Sequence, residues 1–263
     1  MIKDCPDILK KIVETKRSEL KHKKYTIKEL EVQISEQNKS LDFEASLKKE
    51  KLAVISEIKK ASPSAGIINE NFQPEKIARA YMQGEADAVS ILTDKEYFKG
   101  NIEYIKNLRE IITVPVLRKD FIIDEYQIYE ARAYGADTFL LIAAILTTDE
   151  LKQFIETGRN LGMEPLVESH NENELKKSID AGTKIFGINN RNLHTFEVDI
   201  NTSLKLFDLI PDNAVKVAES GIKNIKDADL LRKTGFNAVL IGETLMRCGL
   251  DSVPEMVKKF QVS

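Results

Sequence analysis

The sequence predicts an α/β fold, a (β/α)8 barrel with an N-terminal helical extension, and three observations point to it. First, one phrase recurs. A helix ends at a glycine, two or three mostly small or polar residues follow, and an apolar strand begins. The instances are QGEADAVSIL at 83–92, YGADTFLLI at 134–142, LGMEPLVE at 161–168, AGTKIFGI at 181–188 and TGFNAVLIG at 234–242. Second, runs at 54–58, 114–118 and 214–218 complete a set of eight strands, near residues 54, 88, 114, 138, 164, 185, 214 and 238, each followed by a helical segment. Strict alternation implies parallel strands joined by crossover helices. Third, eight such units in about 210 residues suit a closed barrel better than an open doubly wound sheet. No GxGxxG follows a strand and no Walker A sequence occurs, which weighs further against an open nucleotide-binding sheet.

Taken in order, residues 1–50 read as an extension packed on the barrel, and residues 51–263 as the barrel itself, in one domain overall. Ile8, Ile12 and Leu20 alternate with Lys16, Arg17, Lys21, Lys23 and Lys24, the pattern of one or two amphipathic helices whose lysines form a solvated face. A further short helix is expected over 43–51. Within the barrel, Gly84, Gly135, Gly162, Gly182 and Gly235 are expected as left-handed C-caps, where the missing Cβ removes the steric cost. Thr147 with Glu150 and Asn171 with Glu174 fit capping boxes, and Pro74 fits a first helical position.

The bulk numbers exclude several functions. With 263 residues, 42% hydrophobic and 31% charged, the chain has the composition of a globular protein. A net charge of -3, and basic clusters without interleaved aromatics, argue against nucleic-acid or anionic membrane partners. No apolar run approaches the roughly 20 residues of a membrane span. The start, MIKDCPDILKKI, lacks the apolar core of a signal peptide. Cys5 and Cys248 are too few for a disulfide framework or a zinc site, so a reduced, cytoplasmic protein is expected. His22, His170 and His194 read as isolated surface or loop residues, with His170 nearest the barrel mouth.

In this fold, chemistry belongs to the C-terminal strand ends and the loops after them. Strand side chains alternate faces, so Ala53, Ile55, Glu57 and Lys59 share one side of the first strand. On that segment alone a structural ion pair is the plainer reading; the other strand ends decide. The third strand brings Lys119, the fifth Glu168, the sixth Asn189 and Arg191, and the seventh Glu219. A ring of lysines and glutamates at one mouth suits proton transfer. A desolvated lysine is expected to fall in pKa toward a usable acid, and a glutamate among apolar walls to rise toward a usable base. After strands seven and eight, Ser220-Gly221 and Gly242-Glu243 occupy the place where such barrels bind phosphate through backbone N–H groups, and Arg191 can add donors. Glu243 fits awkwardly beside an anion, so its backbone is the expected contact. The plain alternative is that these glycines only turn the chain.

Read together and in order, EIKKASPS, LRKDF, PLVES, GINNRNL, VAESGI and LIGETLMR resemble the indole-3-glycerol phosphate synthase family of tryptophan biosynthesis, over about residues 53–248. The resemblance implies a reaction without metal or cofactor on a small phosphosugar–anthranilate molecule. Carboxyphenylamino-deoxyribulose 5-phosphate would close to indole-3-glycerol phosphate with loss of CO2 and water. By motif, Lys119 resembles the acid of ring closure. Lys59 would meet the substrate carboxylate and serve in dehydration, although which lysine serves which step stays open. Glu168 resembles the base, supported by Glu57, with Asn189 and Glu219 completing the network. Ser220, Gly221, Gly242, Glu243 and Arg191 would hold the phosphate and Ser62 the carboxylate. Phe98, Phe121, Leu140 and Phe196 are candidates for the slot around the aromatic ring, with ordinary packing as the alternative for each. The chain has no Trp, so any contribution that relatives draw from Trp in their extension falls to another residue or is absent. A monomer or weak homo-oligomer is expected.

Three competitors are weaker. Another phosphosugar barrel enzyme, such as phosphoribosylanthranilate isomerase, shares the phosphate site but has no use for SEIKKASPS paired with LRKD. A silent binding barrel would tolerate loss of Lys119 or Glu168, and both are present. Metal-dependent hydrolysis would need clustered ligands that the isolated histidines do not supply.

Overall fold

The structure, a computed structural model, describes residues 6–263; Cys5 lies outside them. Its eight parallel barrel strands are β1 (Ala53–Ile58), β2 (Ala88–Leu92), β3 (Val116–Lys119), β4 (Thr138–Ile142), β5 (Leu166–Ser169), β6 (Ile185–Asn189), β7 (Val215–Glu219) and β8 (Ala238–Ile241). They pair in sequence order, and β1 closes the ring against β8 with Ala53 opposite Ala238 and Ile55 opposite Leu240. Inward side chains from alternate positions, including Ile55, Leu117, Leu140, Leu166, Val217 and Leu240, fill the interior. The opposite faces, with Val54, Val89, Phe186 and Val239 among them, pack under the outer helices. This is the period-two division of a strand buried on both faces.

The repeated phrase has a structural cause beyond its glycine. Asp87 and Asp137 stand just before their strands, and their buried carboxylates accept the backbone N–H of Val54 and Val116, each at 2.8 Å. Asn237 does the same for Lys216 at 2.9 Å. A short acceptor there pairs a strand-start N–H that the ladder leaves open, and an unpaired buried N–H is costly.

The helices are α1 (Asp7–Glu19), α2 (Ile27–Ser35) and α3 (Phe43–Leu47), and then α4 (Pro74–Gln83), α5 (Glu103–Leu108), α6 (Glu125–Ala133), α7 (Thr148–Asn160), α8 (Glu172–Asp180), α9 (Asn201–Leu206), α10 (Ile225–Thr234), α11 (Glu243–Arg247) and α12 (Val253–Phe260). Pro74 occupies the first turn of α4, and Thr147 forms the reciprocal capping box with Glu150. Thr26 with Glu29 and Asn224 with Asp227 form two more. Two expectations are corrected. Helix α3 is shorter than the expected 43–51. Gly84 has φ -78° and is not left-handed; Glu85, with φ 58°, takes that conformation instead. Gly84 is required by packing: a Cβ there would lie 2.9 Å from Val257 Cβ and 3.0 Å from the Pro254 carbonyl, both on α12.

Before β1 the chain reaches both ends of the barrel. Phe43 and Leu47 of α3 join the interior cluster near the strand starts. Leu9 and Ile12 of α1 join it from the other end, at the strand termini. Lys16 fixes α1 there. Its buried ammonium meets Asp94 at 2.8 Å and Asp120 at 3.1 Å, in the loops after β2 and β3, and Glu19 at 2.9 Å. Burial opposes the charge, but Asp120 and Asp94 outweigh it and raise the lysine pKa. The sequence had placed this lysine on a solvated face; it is instead buried.

Candidate active site

A cavity of about 690 Å³ opens at the C-terminal strand ends, within the size range of small-molecule sites. It is lined by every residue assigned above to the acid–base ring, the phosphate turns and the aromatic slot. Strand alternation puts Glu57, Lys119, Leu140, Glu168, Asn189 and Glu219 on the interior side, the remaining residues come from the loops after the strands, and the barrel's closure brings them together.

Two charged groups divide the floor. At the end of β1, Lys59 Nζ lies 2.5 Å from Glu57 Oε2. The Lys119 ammonium of β3 sits between Glu168 of β5, at 3.1 Å, and Glu219 of β7, in closer contact. Asn189 Oδ1 accepts the Arg191 N–H at 3.0 Å, and its side chain helps to hold Glu168 below the usual carboxylate range. Two glycines make room for these groups. A Cβ on Gly242 would collide with the Glu57 carboxylate and lie 3.0 Å from Lys59 Nζ, and one on Gly187 would strike Glu219. Gly242 thus admits a carboxylate as well as exposing backbone.

The charge states differ from expectation. Burial would lower the Lys119 pKa, but Glu219, Glu168 and Glu57 face it and raise it above the ordinary lysine value. Burial would raise Glu168, but Lys119 and His170 hold it below the usual carboxylate range. It is Glu219 that burial pushes up, to about 7, with the Glu168 charge adding and Lys119 opposing. One ammonium serving two buried carboxylates leaves the second short of compensation.

At the glycine-rich side, Ser220 and Gly221 are both left-handed, with φ 66° and 80°. Asn190 secures this turn: its Nδ2 donates to the Ser220 carbonyl at 3.0 Å, while its Oδ1 accepts from Ser203 N and Oγ at 3.0 and 2.8 Å. Gly242 precedes α11, whose first residue is Glu243. The Glu243 carboxylate is bound by Arg247 Nε at 2.9 Å, which answers the awkwardness of an acid at this place. Arg247, on α11, and Lys223, in the loop after β7, also line the cavity; sequence reasoning missed both because they lie past the strand ends, where strand alternation assigns no face. Arg191 is held by the Phe196 carbonyl at 3.2 Å. Ser62 Oγ accepts the Ala65 N–H at 3.2 Å and shapes the loop after β1.

The apolar wall comes from Phe98 and Phe121, whose ring centroids are 5.9 Å apart, with Leu140 below and Ile8, Leu9 and Ile12 of α1 above. Phe196 lines the rim at 36% exposure. The α1 residues were not singled out as site residues, since their spacing is that of any amphipathic helix. His170 is a loop histidine, between β5 and α8, but neither isolated nor on the surface: its side chain is 11% exposed between Glu168 and Glu174. Glu174 is also not a full capping box with Asn171, because its carboxylate turns to His170 as well.

Comparison with known proteins bears on this site. A family model described as indole-3-glycerol phosphate synthase matches residues 9–258. This chain belongs to the indole-3-glycerol phosphate synthase family. It is 52% identical to the indole-3-glycerol phosphate synthase of Ruminiclostridium cellulolyticum over 82% of this chain and 83% of that one. Against the indole-3-glycerol phosphate synthase of Thermoanaerobacter pseudethanolicus it is 46% identical over 96% and 98%. As an indole-3-glycerol phosphate synthase it is a carboxy-lyase of tryptophan biosynthesis with a small phosphosugar substrate. Solved structures share the fold: KGPDC from Streptococcus mutans matches with TM-score 0.59 at 13% identity, over 80% of this chain and 96% of that one. A chain of the tryptophan synthase a2b2 complex from Pyrococcus furiosus matches with TM-score 0.57 at 16% identity, over 79% and 97%. No helix among the described residues is long and apolar enough to cross a membrane.

Proposed function

We propose that the two lysine–glutamate groups lining this cavity carry the proton transfers of indole-3-glycerol phosphate synthesis. The observation that supports the reading most is Lys119 held between Glu168 and Glu219, in the same cavity as the Lys59–Glu57 pair. The anthranilate ring would lie against Phe98, Phe121 and Leu140, with the phosphate at the Ser220-Gly221 and Gly242-Glu243 backbone beside Arg191. Ser62 and Lys59 would meet the substrate carboxylate.

Lys119 protonates the ketone oxygen as the ring carbon bearing the carboxylate attacks the carbonyl carbon. Loss of CO2 from that carbon returns its electron pair to the ring and discharges the cation. Lys59 then protonates the departing hydroxyl as water, and Glu168 takes a proton from the five-membered ring. Lys119 is fully protonated at rest, so it stabilises developing negative charge before it gives up a proton. With Glu219 near 7, a proton on that carboxylate removes one of the anions holding the ammonium, which eases donation. Glu57 and Asn189 keep Lys59 and Glu168 in place.

The chain is further read as a cytoplasmic protein, monomeric or weakly self-associating, with no nucleic-acid partner; light scattering on the purified chain checks its mass. The function itself is tested by adding carboxyphenylamino-deoxyribulose 5-phosphate, with a chelator present, and following indole fluorescence. Growth of signal supports both the ring closure and its independence from metal. A flat trace from a folded protein overturns the assignment of this chemistry to these residues.

A further inference from the structure

His170 has no part in the reaction just described, yet it is buried against the residue read as its base. Three donors orient the Glu174 carboxylate of α8: Oε2 receives the His170 backbone N–H at 2.8 Å and meets its Nδ1 at 2.9 Å, and Oε1 receives Asn171 Nδ2 at 2.7 Å. That anchoring turns the other ring nitrogen, Nε2, toward Glu168 Oε1 at 3.4 Å. Nε2 is buried and makes no hydrogen bond among the described residues, so its approach to Glu168 is a charge contact.

Neither neutral tautomer fits this arrangement. With the proton on Nδ1, a lone pair on Nε2 faces the Glu168 carboxylate. With it on Nε2, a lone pair on Nδ1 faces Glu174. Only the imidazolium presents a donor to each carboxylate. We propose that His170 is a positioning residue: as a cation pinned by Glu174, it holds the Glu168 carboxylate ionised and aimed into the cavity. Glu168 then lies between two cations, with Lys119 on Oε2 and His170 toward Oε1. The ionisable groups facing His170 are Glu174 from α8, Glu168 from its own strand end and Glu219 from β7. Burial works against the charge, and these three carboxylates together raise its pKa above the ordinary histidine value. The inference rests on Glu168 being the base.

The sign of the effect follows. Removing a cation beside Glu168 makes its proton harder to lose, so activity fails sooner on acidification. In His170→Gln the acid limb of the kcat profile is expected to move up by about one pH unit. At neutral pH Glu168 stays ionised, so a fall in kcat there reports its lost aim alone; about tenfold is expected, with KM within about twofold. Glu174→Gln, which keeps the histidine but removes its anchor, should move the limb the same way by a smaller amount. Nitrogen chemical shifts of the three histidines, assigned with His170→Gln, should show a cationic ring at pH 7 that becomes easier to deprotonate in Glu168→Gln. A neutral ring at pH 7, or an acid limb unmoved in both His170→Gln and Glu174→Gln, overturns the proposal. Undiminished turnover in Glu168→Gln overturns the base assignment beneath it, and the ring's charge state shows that failure to be separate.

Discussion

Lys119 shows how one residue's role depends on its neighbours' charge. Alone in an apolar pocket it would shed its proton readily; between Glu168 and Glu219 it holds the proton firmly. Lys119→Met should therefore reduce turnover below detection in the fluorescence assay while circular dichroism remains that of the folded barrel. Wild-type-like turnover in that variant would contradict the acid role. Ser220→Ala should act differently. The Ser220 carbonyl is fixed by Asn190 and its φ by the turn, so the hydroxyl contributes mainly to holding the substrate. A several-fold rise in KM with kcat nearly unchanged is expected from steady-state kinetics.

Among the elements, α1 and α12 are fixed by opposite means. Helix α1 is held by charge through Lys16 and carries Ile8, Leu9 and Ile12 over the cavity. Lys16→Met leaves the buried Asp94 without its cation and Asp120 with Arg118 alone, and breaking such a buried pair costs about 3–5 kcal/mol. Urea unfolding should register that loss, and KM should rise more than kcat falls as the apolar cover loosens. Helix α12 is held by close packing at Gly84. At φ -78° alanine meets no backbone strain, yet Gly84→Ala should destabilise by about 1–3 kcal/mol, because its Cβ meets Val257 and the Pro254 carbonyl. A denaturation midpoint at or above wild type would show that α12 can shift aside.

For the whole molecule, acid stability depends on carboxylates tied into the loops at the strand ends. Burial would raise Asp120, but Lys16 and Arg118 bring it down to about 2 from 3.8. A depressed carboxylate stabilises the fold above its unfolded pKa and loses that contribution as pH falls through the folded value. Its full contribution is about 2 kcal/mol, of which about 1 kcal/mol is lost between pH 5 and pH 3. Asp120→Asn should flatten the pH dependence of urea unfolding over that interval by this amount. An unchanged slope would place the acid sensitivity elsewhere. Glu219 and His170 act in the other sense: their raised values mean the folded state holds extra protons, and the stability they bring declines as pH rises through those values.

The barrel was legible in the sequence because its causes are local. Period-two strands, helices capped at Thr147 or Asn171, and the glycine phrase each occupy a few consecutive residues. Since strand side chains alternate, the phase of each strand also identifies Glu57, Lys119, Glu168, Asn189 and Glu219 as facing inward. What those groups do to one another was not legible. Lys119 meets partners 49 and 100 residues away in the chain, and electrostatic coupling depends on separations of a few ångströms. Barrel closure set those separations. It made Glu219 rather than Glu168 the carboxylate of raised pKa, drew Lys16 from an expected surface into a buried ion pair, and turned His170 toward Glu168. Gly84 and Gly242 were likewise decided in three dimensions, since each is required by a neighbour from another part of the chain.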